Sequence, residues 1–106
     1  MERLYYPNGA LRYEGEVKNG KYNGKGKLYN EDDTLEYEGD FKDNRYNGKG
    51  KLYNYGTLEY EGDFKDNAFN GKGKKYREDG ITLLYEGDFK DDFEGKGKMY
   101  RDDSRI

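Results

Sequence analysis

The sequence predicts an all-β protein, a single antiparallel sheet of tandem β-hairpins. About nine short strands lie side by side in it, roughly 40 Å in length at the usual strand spacing. Two observations carry this expectation. Four near-copies of one pattern begin at Tyr13, Tyr37, Tyr60 and Tyr85, at offsets of 24, 23 and 25 residues. A fixed period in this range marks a repeat array, in which each unit leans on its neighbours rather than on a central core. Within each copy the apolar residues and glycines recur with period two and not 3.6, the signature of a strand with one apolar face.

Composition limits what such an array can be. The 106 residues allow one domain, and 41% of them are charged against 31% hydrophobic. A mean hydropathy of -1.48 would by itself suggest disorder, because little apolar area is available to offset chain entropy. Against that, 13 Tyr and 5 Phe recur at fixed positions, which a disordered chain has no reason to keep. The expectation is a folded but thin protein. The 20 basic and 23 acidic residues alternate, giving a net charge of -3. No basic stripe is apparent for nucleic acid, which is excluded as a partner, and an anionic membrane is disfavoured. With no Cys there are no disulfides or thiolate metal sites. The opening residues 1–9 have no apolar run like a signal peptide, so a soluble, cytoplasmic protein is expected.

The whole of residues 1–106 reads as one domain. Residues 4–12 form a half repeat, in which Leu4, Tyr5 and Tyr6 correspond to the return strand of later units. The second unit shows the design of the full repeats. Leu35, Tyr37, Gly39 and Phe41 alternate with Glu36, Glu38 and Asp40, giving a strand with one apolar face. Residues 42–47, rich in Asp and Asn, supply the turn, and Gly48–Tyr53 returns with Lys49 and Lys51 on the polar side. Turn chemistry joins the units again at 30–34, 54–57 and 77–82. A truncated tail, 101–106, stops where a further strand would begin.

The two strands of a hairpin explain each other. Glu38 and Asp40 are expected to face Lys49 and Lys51, each cross-strand pair contributing about 0.2–1 kcal/mol. On the other face Gly48 and Gly50 leave space for Tyr37 and Phe41. Glycine inside a strand costs about 0.5–1 kcal/mol relative to Ala, so its repetition implies that the missing side chains are needed.

The pattern Tyr-x-Gly-x-Phe, six residues, Gly-x-Gly stands intact at Tyr37, Gly39, Phe41, Gly48, Gly50 and again at Tyr60, Gly62, Phe64, Gly71, Gly73. It resembles the MORN repeat (membrane occupation and recognition nexus). The first unit (Tyr13, Gly15, Gly24, Gly26) carries Val17 at the aromatic position. The fourth (Tyr85, Gly87, Phe89, Gly95, Gly97) is one residue shorter, a deletion expected in its turn. The resemblance implies an elongated single-layer sheet that twists and curves into a groove. It also implies a scaffold or protein-binding role, with lipid binding proposed for the family.

Chemistry at a single centre is not expected, and no catalytic, cofactor-binding or metal-binding residues are assigned. The chain lacks His and Cys and has one Ser, in the tail, which removes the usual nucleophile–base arrangements. Glu38 and Asp40 recur in other units and read as an ion ladder rather than a carboxylate dyad. The acidic runs Glu31-Asp32-Asp33 and Asp102-Asp103 read as solvated turns. The aromatic stripe of Tyr13, Tyr37, Phe41, Tyr60, Phe64, Tyr85 and Phe89 is the remaining candidate. It has two readings: rings packed on glycines and on one another, or a groove for a peptide or helix of a partner protein. A second copy joined through this face or the sheet edges is another expected partner. A lipid headgroup or carbohydrate ligand is the alternative.

Overall fold

The computed structural model describes residues 1–100; the tail at 101–106 lies outside the described residues. Nine strands follow one another in a single open sheet whose spatial order is the chain order. They are β1 (Glu2–Tyr5), β2 (Leu11–Lys18), β3 (Lys21–Tyr29), β4 (Leu35–Lys42), β5 (Arg45–Asn54), β6 (Thr57–Lys65), β7 (Ala68–Tyr76), β8 (Leu83–Lys90) and β9 (Phe93–Met99). Every neighbouring pair is antiparallel. The sheet measures 50 × 26 × 16 Å. Its length exceeds the expected 40 Å because strand spacing counts only the distance between the outermost strand axes.

The hairpin turns are shorter than the sequence suggests. Asp43 and Asn44 alone make the second turn, with φ of 50° and 69°, and β5 begins at Arg45 rather than Gly48. Asn19–Gly20, Asp66–Asn67 and Asp91–Asp92 repeat this positive-φ pair. Two consecutive left-handed residues make a type I′ turn, whose twist matches that of the strands it joins. Asn, Asp and Gly tolerate this conformation best, so the Asp/Asn runs encode two-residue turns and leave the residues after them free to pair.

A bulge separates each turn from the rest of its hairpin. Gly39 pairs with Gly50 and Phe41 with Tyr46, so Asp40 alone opposes Asn47, Gly48 and Lys49. The Asp40 carboxylate accepts the Lys49 backbone N–H at 3.1 Å, and Gly48 bends through φ 106°. A Cβ on Gly48 would lie 2.8 Å from Asp40 Oδ2. The space at Gly48 is therefore used by a carboxylate, not by a ring as expected. In the fourth repeat only Gly95 and Lys96 oppose Asp88, because Gly87 pairs with Gly97 and Phe89 with Glu94. The missing residue is thus lost from the bulge and not from the turn, which keeps Asp91 and Asp92.

The bulge also redirects the ion pairs. Glu38 stands opposite Lys51 as expected, but Lys49 reaches across to Asp63 of the next hairpin at 2.5 Å. Asp40 in turn takes Lys25 of the preceding one at 2.6 Å, and Lys72–Asp88 continues the series at 2.5 Å. A second bulge corrects the reading of Leu35. Leu28 pairs with Tyr37 and Tyr29 with Leu35, so Glu36 is the extra residue and Leu35 joins Tyr29 on the side away from Tyr37. In β1, Leu4 and Tyr5 take the positions of Leu28 and Tyr29. Tyr6 lies one residue further on and donates its hydroxyl hydrogen to the Tyr29 carbonyl at 2.5 Å.

Successive hairpins are clamped at their turns. The Tyr46 N–H donates to Asn67 Oδ1 at 2.9 Å, and the Asn67 N–H returns a bond to the Tyr46 carbonyl at 2.9 Å. Asn44 does the same for Tyr22 and Asp92 for Phe69. Gly20 holds this position in the first hairpin, which has only β1 before it. Asn67→Ala removes an acceptor and places a Cβ-bearing residue with no side-chain compensation at φ 73°. It is expected to cost about 1–2 kcal/mol, whereas Asn67→Asp retains the acceptor and most of the stability. Urea midpoints of the two variants check this.

Candidate interaction surface

The two faces of the sheet are built differently. On one face the tyrosine that opens each repeat lies flat across its own hairpin. The Tyr37 ring sits over Gly39 and Gly50, stacks on Tyr46 at 3.9 Å and 7°, and meets Phe41 and Phe64 edge-on at 5.0 and 5.3 Å. Tyr13–Tyr22 and Tyr60–Phe69 repeat the stack. Each opening tyrosine also donates its hydroxyl hydrogen to the bulge carbonyl: Tyr13 to Glu16 (2.6 Å), Tyr37 to Asp40 (2.8 Å), Tyr60 to Asp63 (2.9 Å) and Tyr85 to Asp88 (3.0 Å). The ring therefore satisfies the backbone group that the bulge takes out of the ladder.

Tyr13, Tyr37, Phe41, Tyr60, Phe64, Tyr85 and Phe89 have exposures of 0–4%. These rings pack on glycines and on one another, joined by Tyr22, Tyr46 and Phe69; Tyr46 lies in the stretch 42–47 expected to be turn. The available signal was an aromatic nine positions after each opening tyrosine in three repeats, replaced by Glu94 in the fourth. The glycines divide by role. Gly26, Gly50, Gly73 and Gly97 lie against the tyrosine ring itself. Gly15, Gly39, Gly62 and Gly87 lie against the partner strand's backbone, with the same hydroxyl close by. Gly24, Gly48 and Gly71 make room for the bulge carboxylate. Gly95 meets nothing closer than 3.5 Å.

Burial dominates the acid–base behaviour of the rings. Desolvation pushes Tyr13 up to about 12 from 10.0. Tyr53 and Tyr76 rise to about 12 by desolvation and by donating to Glu38 and Glu61. Tyr37, Tyr46 and Tyr60 are raised further, burial again being the largest cause. A phenol whose folded pKa is raised contributes stability that is fully present below its unfolded value. That stability is lost as pH rises through the folded pKa. Unfolding is therefore expected to set in above pH 10 and to be advanced by about pH 12, with phenolate absorbance and β-sheet circular dichroism changing together.

The other face is polar and hollowed. A trough of about 690 Å³ crosses β4 to β8, floored by Gly50, Gly62, Gly73 and Gly87 and walled by Glu38, Glu61, Glu86, Lys49, Lys51, Lys72 and Lys74. A further hollow of about 350 Å³ shares Glu38 and extends it past Gly39, Gly26 and Gly15 toward Met1. The same glycines thus serve both faces, seating rings on one and lowering the floor of the other. The trough's carboxylates are held in place. Tyr53 donates to Glu38 at 2.8 Å, Tyr100 to Glu86 at 3.2 Å, and Tyr76 to Glu61. Along the trough Lys and Glu alternate strand by strand through the direct pairs Glu38–Lys51, Lys51–Glu61, Glu61–Lys74 and Lys74–Glu86. The outer lysines are tied less to the floor than to their neighbours: hydrogen bonding by Asp40 and Asp88 raises the pKa of Lys25 and Lys72.

A one-layer meander whose hairpins repeat a bulge beneath a tyrosine ring, with a ring stack in three of them and a turn clamp between successive ones, is a tandem β-hairpin repeat protein. The MORN repeat profile matches four times, at residues 13–34, 37–55, 60–82 and 85–105, and the chain belongs to the MORN repeat family, whose repeats are interaction modules. Comparison with curated proteins found no match.

Proposed function

We propose that this chain is a non-enzymatic protein-interaction module that holds a peptide or helix of a partner protein in the trough of its polar face. One observation carries the reading: the trough of about 690 Å³ runs across five strands, with a backbone floor and charges of both signs on its walls. The rings named as a partner-binding stripe support it from beneath, since they shape the floor and keep it flat. A helix is about 10–12 Å wide and repeats a face every seven residues, about 10.5 Å. Successive hairpins lie about 9.6 Å apart, two strand spacings. A single helix face can therefore meet Glu38, Glu61 and Glu86 in turn, and a basic residue about every seven positions is the expected feature of the partner.

The test is affinity capture from the source cell with the wild-type chain and with Lys51→Glu/Lys74→Glu. These side chains are exposed and exposed pairs contribute about 0–1 kcal/mol, but reversal sets like charges opposite Glu38, Glu61 and Glu86, so folding of the variant is verified by circular dichroism before capture. A partner retained by the wild type is expected to bind the variant at least about tenfold more weakly. An unchanged partner set would remove the trough from consideration. Sedimentation with anionic vesicles and no retained protein would favour the lipid reading instead.

A further inference from the structure

The four hairpin ends form one long edge of the sheet, and their charges run in order. Each end consists of the closing pair and two turn residues: 18–21, 42–45, 65–68 and 90–93. Their formal charges are +2, +1, 0 and −1. The gradient comes largely from the turns, because the first has no acid and the fourth has Asp91 and Asp92. At the basic end Lys18 stands directly opposite Lys21, and Lys42 opposite Arg45. Like charges in direct register weaken an antiparallel ladder. Among the described residues Lys18, Lys21 and Lys42 have no carboxylate within 4.0 Å. All three are exposed and line one hollow of about 610 Å³ between the first two ends, together with Asp43 and with Asp40, whose carboxylate is paired with Lys25, so the hollow keeps a net positive charge. At the acidic end Asp91, Asp92 and Glu94 are exposed and flank Phe93 in sequence; Phe93 stands opposite Lys90 and its exposure is 77%.

A basic hollow and an acidic, aromatic end are complementary, but they lie three repeats apart, about 30 Å at two strand spacings per repeat. They cannot meet within one chain. We propose that two copies associate antiparallel along this edge, each seating Phe93 and its flanking carboxylates in the Lys18–Lys21–Lys42 hollow of the other. Antiparallel placement sets the +2 end against the −1 end at both poles and the +1 end against the neutral end in between. The contact is isologous and closes as a two-fold pair. The edge is 50 Å long and 16 Å deep, a footprint of the order of the ~800 Å² per partner seen in specific interfaces. The pair forms along an edge, so the trough stays open and the proposal stands independently of the trough's occupant.

Sedimentation equilibrium of the full chain tests it, with folding of every variant verified by circular dichroism. A dimer is expected at about 50 mM salt, with a dissociation constant at least about tenfold higher at about 500 mM, because exposed charges are screened over a shorter distance. Lys18→Glu/Lys21→Glu is expected to be monomeric at low salt, and so is Asp91→Lys/Glu94→Lys. An equimolar mixture of the two restores a dimer, because both poles then join opposite charges. Phe93→Ala, at an exposed position, is expected to weaken the dimer about tenfold. A wild type that stays monomeric to millimolar concentration at low salt overturns the proposal. So does a dimer indifferent to both charge reversals, or a mixture that fails to pair.

Discussion

Gly73→Ala is expected to lower the stability of the array by about 2–4 kcal/mol, while Gly95→Ala leaves it within about 1 kcal/mol. Gly73 is the second glycine of the Gly-x-Gly in its return strand and Gly95 the first in the next repeat's. Gly73 is buried, and an added Cβ would overlap the Tyr60 hydroxyl, Cζ and Cε1. That ring cannot swing aside. It is stacked at 3.8 Å on Phe69, meets Phe64 and Phe89 edge-on, and is bonded to the Asp63 carbonyl. A methyl at Gly73 must therefore lift the ring off the sheet, break the bond that satisfies the bulge, and disturb two hairpins. Gly95 sits in the shortened bulge of the fourth repeat, where the nearest atom to a Cβ is 3.5 Å away. Urea denaturation followed by circular dichroism checks the pair, and equal midpoints would show that ring seating is not what the glycines provide. Gly48→Ala falls between the two, since its φ of 106° and the Asp40 carboxylate at 2.8 Å both oppose a side chain.

How much of this was legible follows from what each signal measures. The repeat period and the alternation of Tyr37, Gly39 and Phe41 report strand faces directly, so nine strands in one antiparallel sheet could be read from residues alone. The two bulges could not. A bulge changes the count of residues on one strand against its partner, and period-two alternation gives no warning where the partner is unknown. Hence Leu35 was placed with Tyr37, and the Lys49 side chain was paired with Asp40 instead of Asp63. The same blindness hid the stacking partners Tyr46 and Phe69. Asp43 and Asn44 read as part of a six-residue turn over 42–47, whereas two left-handed residues suffice. How the rings are covered is hidden for a related reason. Aromatic content identifies the face with the most apolar area, but not that the rings pack on others of their own and the neighbouring hairpin. The concavity is made by glycines, which carry no side-chain pattern to read.

Phe64→Ala is expected to cost about 3–5 kcal/mol, the range for losing a buried aromatic ring, and to act on two hairpins rather than one. Phe64 is 4% exposed. Its ring meets Tyr60 and Phe69 of its own hairpin at 5.1 and 5.6 Å, and Tyr37 and Tyr46 of the preceding one at 5.3 and 5.7 Å. Edge-to-face pairs of this kind add about 0.5–1.5 kcal/mol each beyond area burial. In an array where each unit contacts only its neighbours, stability is a sum of unit and interface terms. Removing Phe64 weakens the interface between the second and third repeats, with two repeats left on each side of it. The loss should therefore appear as reduced cooperativity as well as a lower midpoint, with amide exchange rising first in β5 and β6. Val17 provides the comparison. It stands at the same position in the first repeat, paired with Tyr22 of its own hairpin and with only the short β1 before that hairpin, and is partly rather than fully buried. Val17→Ala should cost about 1 kcal/mol and leave exchange in β5 and β6 unchanged. A Phe64→Ala variant that unfolds in one sharp transition, with a loss no greater than that of Val17→Ala, would mean that the ring stack does not couple neighbouring repeats. The backbone ladder between hairpins, the turn clamps such as Tyr46–Asn67, and the charged pairs Lys25–Asp40, Lys49–Asp63 and Lys72–Asp88 would then carry the coupling, and the share of the charged pairs would show as a midpoint that falls with added salt.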